Sequence, residues 1–190
     1  AYIDMGFVGT ERPVSALTCE GAKDVTIEFF SFSKSYAMTG WRVGWACGNQ
    51  ELVGMLGKIK STIDSGIFKP LQYACAEIIN SKDGDDYIDE SAKSFEAKQN
   101  ILTNGFKELG WDIDNLNIPK ATFYLWLPIP PRYKSSEEFT SAVLETSGVV
   151  LVPGSAFGKY GEGWFRISAV TTEENLKEVI SRLKTDGFTF

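Results

Sequence analysis

Histidine does not occur once in the 190 residues. Its absence removes Ser-His-Asp and Cys-His catalysis, imidazole metal ligands and the commonest general acid or base near neutral pH. Cysteine is sparse: Cys19, Cys47 and Cys75 form an odd count with no Cys-x-x-Cys spacing. Neither a disulfide framework nor a zinc site is indicated, no metal is expected, and the thiols are expected to fill core space. No apolar run approaches the ~18 to 20 residues that cross a bilayer, and no charged, apolar, small-residue signal opens the chain. A membrane partner is therefore not expected, and the cytoplasm is the default location. Positive charge is in deficit, with 19 basic against 25 acidic side chains and a net charge of −6. That balance disfavours nucleic acid, whose phosphates call for a concentration of Lys and Arg. Chemistry in this chain must rest on Lys, Tyr, Arg, carboxylates or a cofactor.

What is present has the composition of a folded domain, 43% hydrophobic and 23% charged, without internal repeats. The chain opens at Ala1-Tyr2-Ile3-Asp4 without Met or a polar leader, from which a preceding segment is expected. Residues 25–33 and 42–47 read as strands joined by the small and polar stretch 34–41. Asn49 is a candidate N-cap for a helix over about 50–63 with Leu52, Leu56, Ile59 and Ile63 on one face. Pro70 marks a break or the first turn of another helix. The longest periodic segment, carrying Ile88, Ala92, Phe95, Leu102, Phe106 and Leu109 and interrupted at Gln99, predicts a helix over about 86–109 ending at Gly110. Beyond it come strands at 122–127, 149–152 and 164–168. A helix capped by Ser135 with Glu138 runs to about 146, and a last helix is capped by Thr171 with Glu174.

The stretch richest in chemistry is Ser31-Phe32-Ser33-Lys34-Ser35-Tyr36-Ala37-Met38-Thr39-Gly40-Trp41-Arg42-Val43-Gly44-Trp45. Ser31 and Ser33, two apart on a strand, would share one face, and Lys34 follows where the strand gives way to a turn. A lysine at such a boundary is partly shielded from water, which favours the neutral amine that acts as nucleophile or base. Arg42 would begin the next strand and return beside Ser31, and a hydroxyl with a guanidinium makes a phosphate clamp. By spacing alone these residues read sooner as a solvated lysine, a surface pairing arginine and ordinary turn-forming serines, since isolated lysines are rarely catalytic. Gly158 to Gly163 has the look of a phosphate loop, but it lies between no strand and helix and is read as a turn. The tryptophans are read as core and interface, and the acidic run from Asp83 to Glu90 as a solvated helix start.

Ser-x-Ser-Lys followed by Gly and Arg resembles the pyridoxal-phosphate lysine motif of class I/II aminotransferases, which are fold-type I enzymes. Ala1-Tyr2 resembles the end of that family's Asp-x-Ala-Tyr strand, and Trp164-Phe165-Arg166-Ile167-Ser168 its Arg-x-Ser strand. The wording of Thr122-Phe123-Tyr124-Leu125-Trp126 and Met38-Thr39-Gly40-Trp41-Arg42 is most similar to the branch containing LL-diaminopimelate aminotransferases. The resemblance covers essentially the whole chain and implies an α/β fold, the C-terminal half of a fold-type I transferase. Residues 1–90 would be part of the large mixed-sheet cofactor domain. Residues 91–190 would be a small α+β domain with the long interdomain helix at its start.

Carried over by position, the resemblance implies that Lys34 binds pyridoxal 5′-phosphate covalently and moves the proton at the substrate Cα. Ser31 and Arg42 would hold the cofactor phosphate, Ser33 standing as a weaker candidate. Tyr2 would donate to the ring's phenolic oxygen, and Arg166 would bind the α-carboxylate of an amino-acid or 2-oxo-acid substrate. A homodimer is expected. The family's glycine-rich phosphate turn, its ring-stacking aromatic, an Asn and the Asp that protonates the pyridine nitrogen are not in this half, so these 190 residues alone are expected to be inactive. Two other readings stay open: a pyridoxal-phosphate carbon–sulfur lyase or decarboxylase, and the aminotransferase-like sensing domain of a transcription regulator.

Overall fold

The computed structural model describes residues 1–11 and 13–190. Contacts divide the chain into two units, Ala1–Lys93 and Ser94–Phe190.

In the first unit a short helix α1 (Ala22–Val25) leads into strand β1 (Ile27–Ser31), a helical turn α2 (Phe32–Ser35) and strand β2 (Gly44–Gly48). The two strands pair antiparallel, Ile27 opposite Gly48 and Ser31 opposite Gly44. A Cβ on Gly44 would lie 2.5 Å from the Phe30 carbonyl oxygen, so only glycine lets the strands close at the end that carries the loop. Both strands are shorter than the spacing predicts. Val25 ends α1, and Ser31 ends β1 by turning its own Oγ onto the backbone N–H of Ser33 at 3.1 Å, which caps α2. Ser33 and Lys34 therefore lie on a helical turn, and the expectation that Ser31 and Ser33 share a strand face is wrong. Arg42 precedes β2 and does not begin it: its φ of +56° is a left-handed conformation that no strand continues.

Helix α3 (Gln50–Asp64) starts at the expected cap, with Asn49 Oδ1 accepting from Leu52 N at 2.9 Å. Of its expected apolar stripe Leu52, Ile59 and Ile63 are exposed and Leu56 is half-buried, while the neighbouring Met55 is exposed as well. Helix α4 (Lys69–Ile79) carries Pro70 in its first turn, where the missing N–H costs nothing. The core of this unit gathers Phe32, Tyr36, Val43 and Cys75, with Leu71, Ile78 and Ile88 packed against them. Only Cys75 fills core space as expected of all three cysteines; Cys19 is exposed and Cys47 half-buried.

Helix α5 (Lys82–Glu108) begins earlier than the periodicity predicts, because Ser81 Oγ accepts from Gly84 N at 3.1 Å and Asp83 and Asp85 favour the first turn. Apolar periodicity cannot register a polar first turn. The helix ends as expected at Gly110, whose φ is +100°.

The second unit folds around a three-stranded antiparallel sheet in the order β3 (Tyr124–Pro128), β5 (Trp164–Ser168), β4 (Val152–Pro153), with helices α6 (Ser136–Ser147) and α7 (Glu173–Thr185). Leu125, Leu127, Phe165 and Ile167 are buried, and with Phe106, Trp111, Phe139, Val143, Leu176 and Leu183 they form the core. Each such side chain is stabilising by roughly 1.5 to 3 kcal/mol relative to exposure. Trp111 satisfies its indole N–H on the Pro128 carbonyl at 2.7 Å. Three expected boundaries shift. β3 starts at Tyr124 rather than at 122, because Thr122 has a φ of +67° that no strand continues, and it runs on to Pro128. β4 is two residues long because Val149 to Leu151 stay outside the ladder. α7 is capped by Thr172, whose Oγ1 accepts from Asn175 N at 3.3 Å, not by Thr171. Ser135 caps α6 as expected, while Glu138 reaches back to Lys134 N at 2.8 Å.

Candidate functional site

The turn after β1 is held by its own polar groups. Ser31 Oγ accepts from Ser33 N, so the hydroxyl proton of Ser31 has no acceptor among the described residues and is left to donate. Thr39 Oγ1 donates to the Ser33 carbonyl at 2.8 Å, and the Arg42 guanidinium donates to the Thr39 carbonyl at 3.0 Å. That chain of contacts leaves most of Arg42's N–H fork on the exposed side of the turn. Ala37 and Arg42 both adopt φ above +50°, backbone strain of a kind that costs of order 1 to 3 kcal/mol each. The stretch is thus bent into a compact loop that delivers Lys34 and Arg42 from one short segment.

Lys34 is half-buried in the last turn of α2, and its Nζ lies 6.0 Å from the centre of the Tyr2 ring. Tyr2 sits just before a 3₁₀ turn, Ile3–Met5, rather than at a strand end. The fold brings these two together from separate stretches. Next to them Ser35 Oγ donates to Asp4 Oδ2 at 3.0 Å, a pairing that nothing in the local pattern forecasts. A cavity of about 470 Å³ in this unit is lined by that Asp4 and by Phe30, Tyr36, Trp45, Asp85 and Asp89 among others. Its carboxylates and lack of a basic side chain make it unsuited to phosphate. There burial first, then the charges of Asp4 and Asp85, push the Tyr36 phenol above its ordinary value.

Arg166 lies in β5 on the half-buried face of the second unit's sheet, directly opposite Trp126 of β3 and Val152 of β4. The guanidinium carbon is 4.2 Å from the centre of the Tyr124 ring and 4.6 Å from that of Phe157. Spacing alone does not single out either aromatic. Tyr124 is visible in hindsight from the antiparallel pairing, which sets it one step diagonal to Arg166. Phe157 closes a 3₁₀ turn, Gly154–Phe157, and has no local signal. The loop that carries it is tied down by Glu162, whose carboxylate accepts from Ser136 N at 2.6 Å, Gly163 N at 2.8 Å and Ser136 Oγ at 3.2 Å. Those backbone N–H bonds hold the Glu162 carboxyl below its ordinary range.

A family model described as aminotransferase class I and II matches residues 1–183. An LL-diaminopimelate aminotransferase from Nitratidesulfovibrio vulgaris (strain Miyazaki F) is 45% identical over 183 residues, which are 96% of this chain and 46% of that protein. One from Halothermothrix orenii is 42% identical over 190 residues, 100% of this chain and 47% of that protein. Among solved structures, the aromatic aminotransferase from Pyrococcus horikoshii OT3 superposes with a TM-score of 0.89 at 29% identity, covering 97% of this chain and 48% of that one. An aminotransferase from Staphylococcus aureus superposes at 0.85 and 31% identity, covering 100% and 48%. The chain spans about half the length of the curated relatives it matches. Its fold is that of roughly the C-terminal half of a fold-type I enzyme, the family's cofactor being pyridoxal phosphate. By sequence and by fold, the chain belongs to the class I and II aminotransferase family.

Proposed function

We propose that the whole protein transfers an amino group between an amino acid and a 2-oxo acid using pyridoxal 5′-phosphate, with LL-diaminopimelate and the glutamate/2-oxoglutarate pair as substrates. The observation that carries this reading is the convergence of the Lys34 amine on the Tyr2 ring beside the Ser31 to Arg42 turn, in a chain 45% identical to a diaminopimelate aminotransferase. The donor set fits the cofactor: an amine for an aldehyde, a phenol for a ring oxygen, and a hydroxyl with a guanidinium for a phosphate. When bound, pyridoxal phosphate supplies an aldehyde that captures amines and a ring that takes up the electrons left when the substrate Cα loses its proton.

The residues of this chain supply position and proton transfer. Lys34 Nζ would hold the cofactor and, when displaced from it, would take the proton from the substrate Cα. Ser31 and Arg42 hold the phosphate, the first by its O–H and the second by its remaining N–H groups. Ser33, with its side chain on the helical turn rather than the strand face, is the weaker contributor. Tyr2 donates its phenol to the ring oxygen. Arg166 takes the α-carboxylate in a two-point contact. Residues 1–90 belong in this reading to the cofactor domain and 91–190 to the small domain, and the whole protein is a cytoplasmic homodimer.

Borohydride reduction of the pyridoxal-phosphate-loaded whole protein, followed by peptide mass spectrometry, should place the label on Lys34. Label on another lysine, or none, would overturn the assignment.

A further inference from the structure

Arg166 is held unlike any other described arginine. Arg42 donates to the Thr39 carbonyl, Arg132 to the carbonyls of Thr189 and Gly187, and Arg182 to Glu178 and the Ser147 carbonyl. No described residue accepts a hydrogen bond from Arg166 or forms an ion pair with it. Its protein contacts are ring faces, Tyr124 at 4.2 Å and Phe157 at 4.6 Å. A ring face attracts the cation through its quadrupole and is a far weaker acceptor for N–H groups than a carboxylate or carbonyl oxygen. The guanidinium is thereby oriented while all five of its donors stay available.

The rings are themselves fixed. Phe157 meets Trp126 edge to face at 5.4 Å, and Trp126 stacks on Trp164 at 6.4 Å. Behind Phe157 the loop is clasped where Gly154 and Gly161 pass so closely that a Cβ on either would fall about 2 Å from the other's carbonyl oxygen. Ser136 Oγ accepts from Ser155 N at 3.2 Å, and Glu162 ties the far end of the loop to the start of α6.

We propose that Phe157 and Tyr124 are positioning residues for Arg166, ordering its guanidinium before a carboxylate arrives. An arginine side chain gives up much rotamer freedom when it is immobilised. Holding it in place during folding removes that cost from the binding step. The inference rests on the reading that Arg166 takes the substrate carboxylate, and it adds which residues make that contact effective.

In the whole protein, Phe157→Ala should raise KM for both the amino donor and the 2-oxo acid about tenfold, with kcat changed less than about twofold. Phe157→Tyr should restore the wild-type KM, because it keeps the ring face. Phe157→Leu keeps apolar bulk without a π face and should behave as the alanine variant does; a leucine variant with wild-type KM would show a mere packing role and overturn the proposal. Arg166→Ala separates the two levels. If it raises KM strongly while Phe157→Ala does not, only the positioning role fails. If Arg166→Ala leaves KM for both substrates unchanged, the underlying assignment of Arg166 fails.

Discussion

At Gly154 an added methyl group would sit 1.9 Å from the carbonyl oxygen of Gly161, and at Gly161 it would sit 2.0 Å from that of Gly154. Both obstacles are backbone, so no side chain can rotate away. Gly154→Ala is expected to destabilise the protein by about 2 kcal/mol or more, read as a lower denaturant midpoint with an unchanged slope. An unaltered midpoint would show that the crossing can open without cost. Gly158, by contrast, has open space around it and is needed for its φ of +110°. The run from Gly158 to Gly163 is thus a turn, as its place in the pattern implies, and its glycines serve two different physical ends. At this same scale Lys34, Ser31 and Arg42 were singled out by the resemblance of their motif to the family, since spacing alone reads them as surface and turn residues. Phe157 was not, since its partner Arg166 lies beyond an intervening loop whose path depends on a backbone crossing.

The loop from Gly154 to Gly163 behaves as one element, latched to α6 through Glu162. With its carboxyl held below the ordinary 4.5 by the N–H groups of Ser136 and Gly163, Glu162 contributes stability that is complete above that value. The contribution is lost as pH falls through the lowered one. Glu162→Gln should therefore narrow the difference in urea midpoint between neutral pH and a pH below 4 that the wild-type protein shows. An identical pH dependence in both proteins would mean that the carboxylate bonds to α6 do not stabilise the fold. Helices whose boundaries rest on caps were legible to within a few residues, as at Asn49 and Ser135. Those that slipped did so where a polar first turn preceded the apolar stripe, as in α5, or where two threonines competed, as at α7. Strand lengths fared worse. β1 ended early because Ser31 preferred its own backbone to the ladder.

For the whole molecule, the α3 stripe is amphipathic in sequence, yet Leu52, Ile59 and Ile63 are exposed in the structure and Leu56 is only half-buried. The chain also spans about half the length of its relatives. The 190 residues by themselves are expected to give no turnover of LL-diaminopimelate with 2-oxoglutarate in a coupled assay, and the whole protein is expected to give it. Turnover by this chain at a rate comparable to the whole protein would show that its own residues complete the site. What the sequence determined by itself is whatever a short window can carry: helix faces, caps, the glycine stop at Gly110, the lysine motif and so the family. Tertiary structure alone decided that Lys34 reaches Tyr2, that Ser35 meets Asp4, and that Arg166 is held by two rings with every donor left open. Each of those contacts joins residues separated along the chain. Their geometry depends on loop closure and on close packing of backbone and side chains, terms that no local pattern of residue types encodes.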